Sequence, residues 1–437
     1  MATDGKVAGK DTRATPGSFG AGEARRGLAT EPPRPPPVRA PESELDAPLS
    51  SKRMIVNLGP SHPAMHGVTR AVVELDGEMI VEMKLDIGFL HRGFEKSCEN
   101  VTWTQVFPYT DRLNYVSSIM NNVGFALAVE KLCRLDVPER AKYLRVATSE
   151  IHRICDHLTL IAAMGMELGA MTVFLYCIEA RDHLWDRLAE LCGARLTSNY
   201  ARIGGVARDA PDGWVEKTVR SLERTRELLD EVDGLLTRNR IFMDRTIGTG
   251  PVTREDAIDL GFTGPCLRAS GVPYDIRKAA PYLVYDRLDF DVPVGSNGDN
   301  FDRYLMRVEE CRQSMRILEQ CWKQMEPGEI VVADFKYALP PKPLVYGTIE
   351  GVMAHFKLIM EGIKVPAGEA YSYTEAANGE LGFYVVSDGG GRPYKLGLRA
   401  PGWPMLAALP HMTKGYLLSD LVPTFDSINM IGGEVEQ

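Results

Sequence analysis

A chain of 437 residues, 44% hydrophobic and 25% charged, has the composition of a folded globular protein and room for two or three domains. Its formal charge of −9 gives no support to nucleic-acid binding, which shows as a basic patch or a high pI. No apolar run approaches the roughly 20 residues needed to span a bilayer, because charges such as Glu167 and Glu179 interrupt the apolar stretches, so any membrane attachment is expected to be peripheral and through partners.

Residues 1–53 are rich in Pro, Ala, Gly and Arg, with the run Pro32-Pro33-Arg34-Pro35-Pro36-Pro37. Such a segment buries too little apolar surface to fold, which predicts a disordered arm. It has no hydrophobic core of a secretory signal, and Asp4, Asp11, Glu23 and Glu31 argue against a transit peptide.

Residues 54–110 read as a β-rich domain. Met54-Ile55-Val56 and Val68 to Leu75 are strand-like, and Asp76-Gly77 is a hairpin turn signal. Between them lies Asn57-Leu58-Gly59-Pro60-Ser61-His62-Pro63-Ala64-Met65-His66-Gly67, a tight loop with an imidazole at its tip. His62 and His66 would suggest metal ligands on a helix, but Pro63 between them argues against one. Gly88 to Lys96 is a polar insert that begins a helix.

From 111 to 330 the apolar period is helical. Helices are expected over about 111–134, through Leu144 to Ile161, through Phe174 to Leu191, and over about 214–237 and 301–325. Five amphipathic helices predict a bundle. The Gly-, Pro- and Asp-rich stretch 247–299 reads as a long irregular segment. Residues 331–437 read as a C-terminal α/β domain, with a helix near 347–361 and a hairpin joining Phe383-Tyr384-Val385-Val386 to Tyr394-Lys395-Leu396-Gly397-Leu398. The fold class is therefore α+β, a central helical bundle between a β-rich region and an α/β region.

The eight cysteines form no Cys-x-x-Cys pair, which speaks for reduced thiols and against a self-contained iron–sulfur or zinc site. The chemistry-bearing candidates are His62, His66, His91, Asp111, Tyr115, Glu150, His152, Cys155, Asp156, His157 and Glu167. Each has a plain alternative: a loop histidine bonding backbone, a core histidine, or a core tyrosine capping a backbone group. Glu167 is sharper, because it interrupts an apolar, small-residue stretch from Ala162 to Met171, where a carboxylate must be paired, hydrogen-bonded or protonated.

Taken together, these segments resemble one family: the hydrogenase-derived large (D-type, 49-kDa) subunit of proton-translocating NADH:quinone oxidoreductase, respiratory complex I. The matching motifs are Gly59-Pro60-Ser61-His62-Pro63-Ala64-Met65-His66-Gly67, Leu90-His91-Arg92-Gly93-Phe94-Glu95-Lys96, Asp111-Arg112-Leu113-Asn114-Tyr115, Gly169-Ala170-Met171-Thr172, Arg202-Ile203-Gly204-Gly205-Val206, Leu267-Arg268-Ala269-Ser270-Gly271, Tyr274-Asp275-Ile276-Arg277-Lys278, Phe290 to Gly295 and Gly379-Glu380-Leu381-Gly382. The resemblance covers residues 54–437.

It implies a fold like the large subunit of nickel–iron hydrogenases. It also implies a quinone chamber shared with the small iron–sulfur (B-type) subunit, in which His66 and Tyr115 hold the quinone carbonyls. Met65 and Gly67 are expected to bind the quinone with them, and Glu167, behind the histidine, to take part in the catalysis. The chain itself is then expected to bind no cofactor. NADH and the iron–sulfur clusters, including the terminal [4Fe–4S], belong to partner subunits. The partners include the small iron–sulfur subunit, the C-type subunit and the H-type subunit of the membrane arm. The expected location is the cytoplasmic face of the plasma membrane.

The sequence departs from the family at three places. Glu167 replaces a usual aspartate, Thr197 a common histidine, and Leu85-Asp86-Ile87-Gly88 stands for Pro-His-Ile-Gly. Hydrogenase activity itself needs two Cys-x-x-Cys pairs that this chain lacks. A scaffold that docks the small iron–sulfur subunit and the membrane arm without catalysis is the competing reading.

Overall fold

The computed structural model describes residues 53–437, so the expected N-terminal arm lies outside the described residues except for Arg53. Helices predominate, around three small antiparallel sheets. The first sheet is β1 (Met54–Leu58), β2 (Arg70–Asp76) and β3 (Met79–Asp86), in that order. Alternation along β2 turns Ala71, Val73 and Leu75 inward, the period-2 signature of a half-buried strand.

The five expected long helices are all present: α1 (Ser118–Cys133), α2 (Glu139–Glu167), α3 (Met171–Cys192), α4 (Trp214–Leu236) and α5 (Asn300–Gln324). α2 is the axis of the bundle, packed on α1, α3 and α5. It is buried on nearly every side and carries Arg145, Glu150, Arg153 and Asp156 into the core, so each of those charges has a partner there.

Four expectations need correction. Residues 111–117 are not helical: the Asn114 side-chain oxygen accepts from the amides of Val116 (3.2 Å) and Ser117 (3.4 Å), a local turn that competes with the helix until Ser118. The loop at 63–65 is a single 3₁₀ turn, with Pro63 at its first position, where a missing N–H costs nothing. The stretch 247–299 holds short helices at Arg254–Asp259, Gly264–Ala269 and Ile276–Ala279. The helix near 347–361 is two, α6 (Lys342–Gly347) and α7 (Ile349–Met360), broken at Thr348, whose hydroxyl caps Gly351 N at 3.1 Å. α7 leaves Ile349, Val352, Phe356, Ile359 and Met360 exposed in this chain.

The C-terminal hairpin gains a third strand: β4 (Gly368–Ala376), β5 (Gly379–Ser387) and β6 (Lys395–Arg399) lie in that order, with α1 across β4 and β5. Two longer helices follow, α8 (Gly402–Thr413) and α9 (Leu418–Ser427), each carrying an internal proline that hides it from a sequence reading, and then a single helical turn at Gly432–Val435.

α8 packs on β3 of the first sheet, and α9 packs on α8, on α2 and on the 3₁₀ turn of the β1–β2 loop, rather than on their own sheet. Met65, Val73 and Ile80 share one core with Met405, Leu409, Phe425 and Met430. Backbone bonds from Ile80 N to Tyr416 O and from Leu418 N to Glu78 O, both 2.8 Å, fasten the C-terminal region to β3. Among the described residues, no helix is long and apolar enough to cross a membrane.

Candidate functional site

The loop between β1 and β2 is held rigid by its own geometry. Gly59 has φ +82°, and a Cβ there would sit 2.1 Å from the Thr69 carbonyl oxygen, so only glycine fits. His62 caps the 3₁₀ turn, its Nδ1 accepting from Ala64 N at 3.2 Å. Met65 is fully buried and anchors the turn in the core, while Gly67 is exposed at φ +74°. His66 adopts the left-handed conformation (φ +53°), which aims its ring across the end of α9. Its side chain keeps 28% exposure.

The C-terminal segment meets this ring and the Tyr115 turn together. His66 Nδ1 lies 3.1 Å from the Met430 carbonyl, and its ring is edge-on to Phe425 at 5.0 Å. Its Nε2 lies 3.6 Å from Asp426 Oδ1. A few residues on, a Cβ at Gly433 would come within 2.5 Å of the carbonyl oxygens of Arg112 and Leu113, so the segment presses against the turn leading to Tyr115. Arg92 ties the two together, donating to Gly433 O (2.7 Å) and Arg112 O (3.0 Å). Asp156 of α2 joins them from beneath, accepting from Asn114 and from Asn429, both at 2.7 Å.

The electrostatics follow from this crowding. Burial alone would push the His66 pKa down, but Asp426, the Met430 carbonyl and the Glu167 charge outweigh it, and the net direction is up. Asp426 is raised by burial, with the His66 charge opposing. Glu167, the last residue of α2, is half-buried and raised by burial and by the Asp426 charge, against His62 and His66. Tyr115 is half-buried and raised by burial and by the charges of Asp156 and Glu434, with Arg92 opposing. Glu434 itself is fully buried and pushed up to about 8, chiefly by burial.

His66, Tyr115 and Glu167 thus all border the C-terminal segment or the groups on it. Glu167 acts on His66 through its charge, whereas the carboxylate at ion-pair distance is Asp426. Of the remaining candidates, Asp156 and His62 belong to this neighbourhood as structural groups, and the others lie elsewhere. Asp111 is clamped by Asn122 (2.6 Å) and Asn199 (2.9 Å) and pushed up to about 6 by burial. Glu150 sits in a buried cluster with Arg153, Arg277, Tyr285 and Ser314. His157 bonds Glu310 at 2.9 Å. His152 is buried without a hydrogen-bond partner among the described residues and driven down to about 3, hence neutral; burial pushes the Cys155 thiol up to about 12. His91 is exposed.

Of the three departures, Asp86 is exposed and 3.6 Å from Arg70, and Thr197 takes φ +50°, unusual for a β-branched residue. Among the described residues, no three His, Cys, Asp or Glu side chains converge as metal ligands do. A hollow of about 1400 Å³ lies elsewhere, between α7 and residues 329–337.

Asp426, Asn429 and Glu434 were missed by sequence reasoning. A signal existed for the first: Asp426 follows Phe425 in an apolar stretch, the same anomaly that singles out Glu167.

Comparison with known proteins places the chain. A family model described as the 49 Kd subunit of respiratory-chain NADH dehydrogenase matches residues 167–437, more than half of the chain. A protein of Anaeromyxobacter sp. (strain Fw109-5), named as a D subunit of NADH-quinone oxidoreductase, is 80% identical over 431 residues, 99% of each chain. The Myxococcus xanthus protein named as the D subunit of NADH-quinone oxidoreductase is 64% identical, covering 91% of this chain and 96% of its own. A Bdellovibrio bacteriovorus protein named as a C/D subunit of the same enzyme is 49% identical over 89% of this chain and 70% of its own. The chain therefore belongs to the family of the D, or 49-kDa, subunit of NADH-quinone oxidoreductase, respiratory complex I.

Proposed function

We propose that this subunit supplies the protein wall at which a membrane quinone is reduced, with His66 and Tyr115 facing its two carbonyl oxygens. The observation that carries the reading is the convergence of two half-open, titratable side chains on one C-terminal segment, each beside a buried carboxyl group: Asp426 for His66, Glu434 for Tyr115. Reducing a quinone takes two electrons and two protons. The electrons arrive from NADH through iron–sulfur clusters on partner subunits, the last of them on the small iron–sulfur subunit, and the reaction is coupled to proton translocation. This chain's part is to orient the carbonyls, to donate hydrogen bonds to oxygens that become negative, and to pass protons from the His66 ring and the Tyr115 hydroxyl. Glu167 adds negative charge that favours the protonated ring.

The fold belongs, on this reading, with the large subunit of nickel–iron hydrogenases. The protein sits peripherally at the cytoplasmic face of the plasma membrane, against the small iron–sulfur subunit, the C-type subunit and the H-type subunit of the membrane arm. The relative named C/D supports the contact with the C-type partner.

The test is NADH:quinone reduction in membranes carrying wild type or Tyr115→Phe, beside NADH:ferricyanide reduction, which draws electrons upstream and reports assembly. Loss of a positioned donor should slow quinone reduction at least ~10-fold, toward the ~100-fold typical of such donors, and leave ferricyanide reduction unchanged. Equal quinone rates in the two would overturn the site. No quinone reduction by wild type would favour the scaffold reading.

A further inference from the structure

Asp426 stands in the last turn of α9, which packs directly on the 3₁₀ turn that presents His66. Its side chain is 1% exposed, and neither carboxylate oxygen has a hydrogen-bond partner among the described residues. A carboxylate buried without a donor is costly unless a positive charge faces it. What faces it is His66 Nε2, at 3.6 Å. The other ring nitrogen is already committed: Nδ1 lies 3.1 Å from the Met430 carbonyl, which can only accept, so Nδ1 carries a hydrogen. Nε2 is therefore the nitrogen whose protonation varies, and Asp426 is what it looks at. At 3.6 Å the contact is an ion pair rather than a hydrogen bond, so an Nε2 hydrogen is not committed to Asp426 and is left for an acceptor at the open edge of the ring.

We propose that Asp426 is the positioning residue of His66, holding the ring as an imidazolium whose Nε2 proton is the one delivered to the reduced quinone oxygen. The inference rests on the quinone reading above. In the step, the Nε2–H bond breaks, its electron pair stays on the ring, and the proton bonds the quinone oxygen made negative by electrons from the iron–sulfur cluster of the neighbouring subunit. The neutral ring keeps its Nδ1 bond to Met430, and a later proton restores the pair. The other titratable group that acts on His66 is Glu167 at the end of α2, by charge alone, and Glu167 in turn feels His62 of the same loop. The raised pKa of the ring agrees in direction, with Asp426 the strongest upward influence.

The experiment is the pH profile of NADH:quinone reduction by the assembled complex, between about pH 6 and 9 around the imidazole range. In wild type, the alkaline limb should have its midpoint above the ordinary imidazole value of about 6.5. A midpoint at or below that value overturns the inference without any variant.

Asp426→Asn and Asp426→Ser, read in parallel so that one assembled variant suffices, should move that limb acidward. The rate at high pH should fall about tenfold for each unit moved, with little change near pH 6. Asp426→Glu should restore most of the wild-type profile, and ferricyanide reduction should stay constant throughout. Glu167→Gln should shift the limb less. A profile unmoved in the Asp426 variants, or moved more by Glu167→Gln, rejects Asp426 as the partner while leaving the Tyr115→Phe result, and the quinone reading, standing.

Discussion

Glu434 shows how one side chain's surroundings set its chemistry. It is fully buried between Asn378, which donates to it at 3.2 Å, and the negative Asp156, so its acid form persists to about pH 8 instead of 4.5. The folded protein then holds a proton that the unfolded chain releases. The stability this adds is complete below about pH 4.5 and is lost as pH rises through about 8. Glu434→Gln fixes the neutral form and keeps an oxygen for Asn378. The drop in melting temperature between pH 6 and pH 9 should be shallower in that variant than in wild type, as read by thermal scans of the assembled complex. An equal drop in both would show that Glu434 is ionised in the fold. Residues of this kind are hard to find in a sequence. The run Gly432-Gly433-Glu434-Val435-Glu436-Gln437 reads as a polar tail, and only the docking of that tail beneath Arg112 and Leu113 buries it.

At the scale of elements, α2 carries the most consequence. Its apolar spacing was legible because helical periodicity survives any tertiary context. Its charges were not, because their partners come from distant segments: Glu150 meets Arg277, Tyr285 (2.7 Å) and Ser314 (2.6 Å) as well as Arg153 of its own helix. Glu150→Ala would leave two buried guanidinium groups without that carboxylate, at a cost of about 3–5 kcal/mol. The expected outcome is much reduced accumulation of the protein in the assembled complex, measured by quantitative immunoblot and ferricyanide reduction. Normal accumulation would mean that Asp275, at 2.7 Å from Arg277, suffices for the cluster. α9 illustrates the opposite case. Pro423 near its middle hides the helix in the sequence, yet Leu421, Phe425 and Ile428 fill the core beneath the His66 loop.

For the whole molecule, the decisive feature is that the two ends of the described chain share one core. The first sheet lacks enough partner surface of its own. α8 covers its inner face, α9 completes the shared core, and the backbone bonds of Ile80 with Tyr416 and Gly415 and of Leu418 with Glu78 stitch the edge. Phe425 belongs to that core and also backs the His66 ring. Phe425→Ala should therefore cost about 3–5 kcal/mol, the usual range for a buried aromatic, and should loosen the loop as well. Thermal scans of the complex, with quinone reduction falling further than ferricyanide reduction, would confirm both effects. A stability loss with the two activities falling in step would confine Phe425 to packing.

The sequence by itself determined the bundle of five helices, the β-rich start, the Gly- and Pro-constrained loop that carries His66, and the family. Those rest on local periodicity, on Gly and Pro as backbone constraints, and on motifs in fixed order, all of which are properties of neighbouring residues. The structure also showed Tyr115 in a turn rather than a helix, through the local Asn114 side-chain bonds; only the tertiary contacts decided which carboxylate faces His66 and that the last residues of the chain form the floor joining it to the Tyr115 turn. Those depend on contacts between residues hundreds of positions apart, such as His66 with Met430, and no local pattern encodes a distance across the fold.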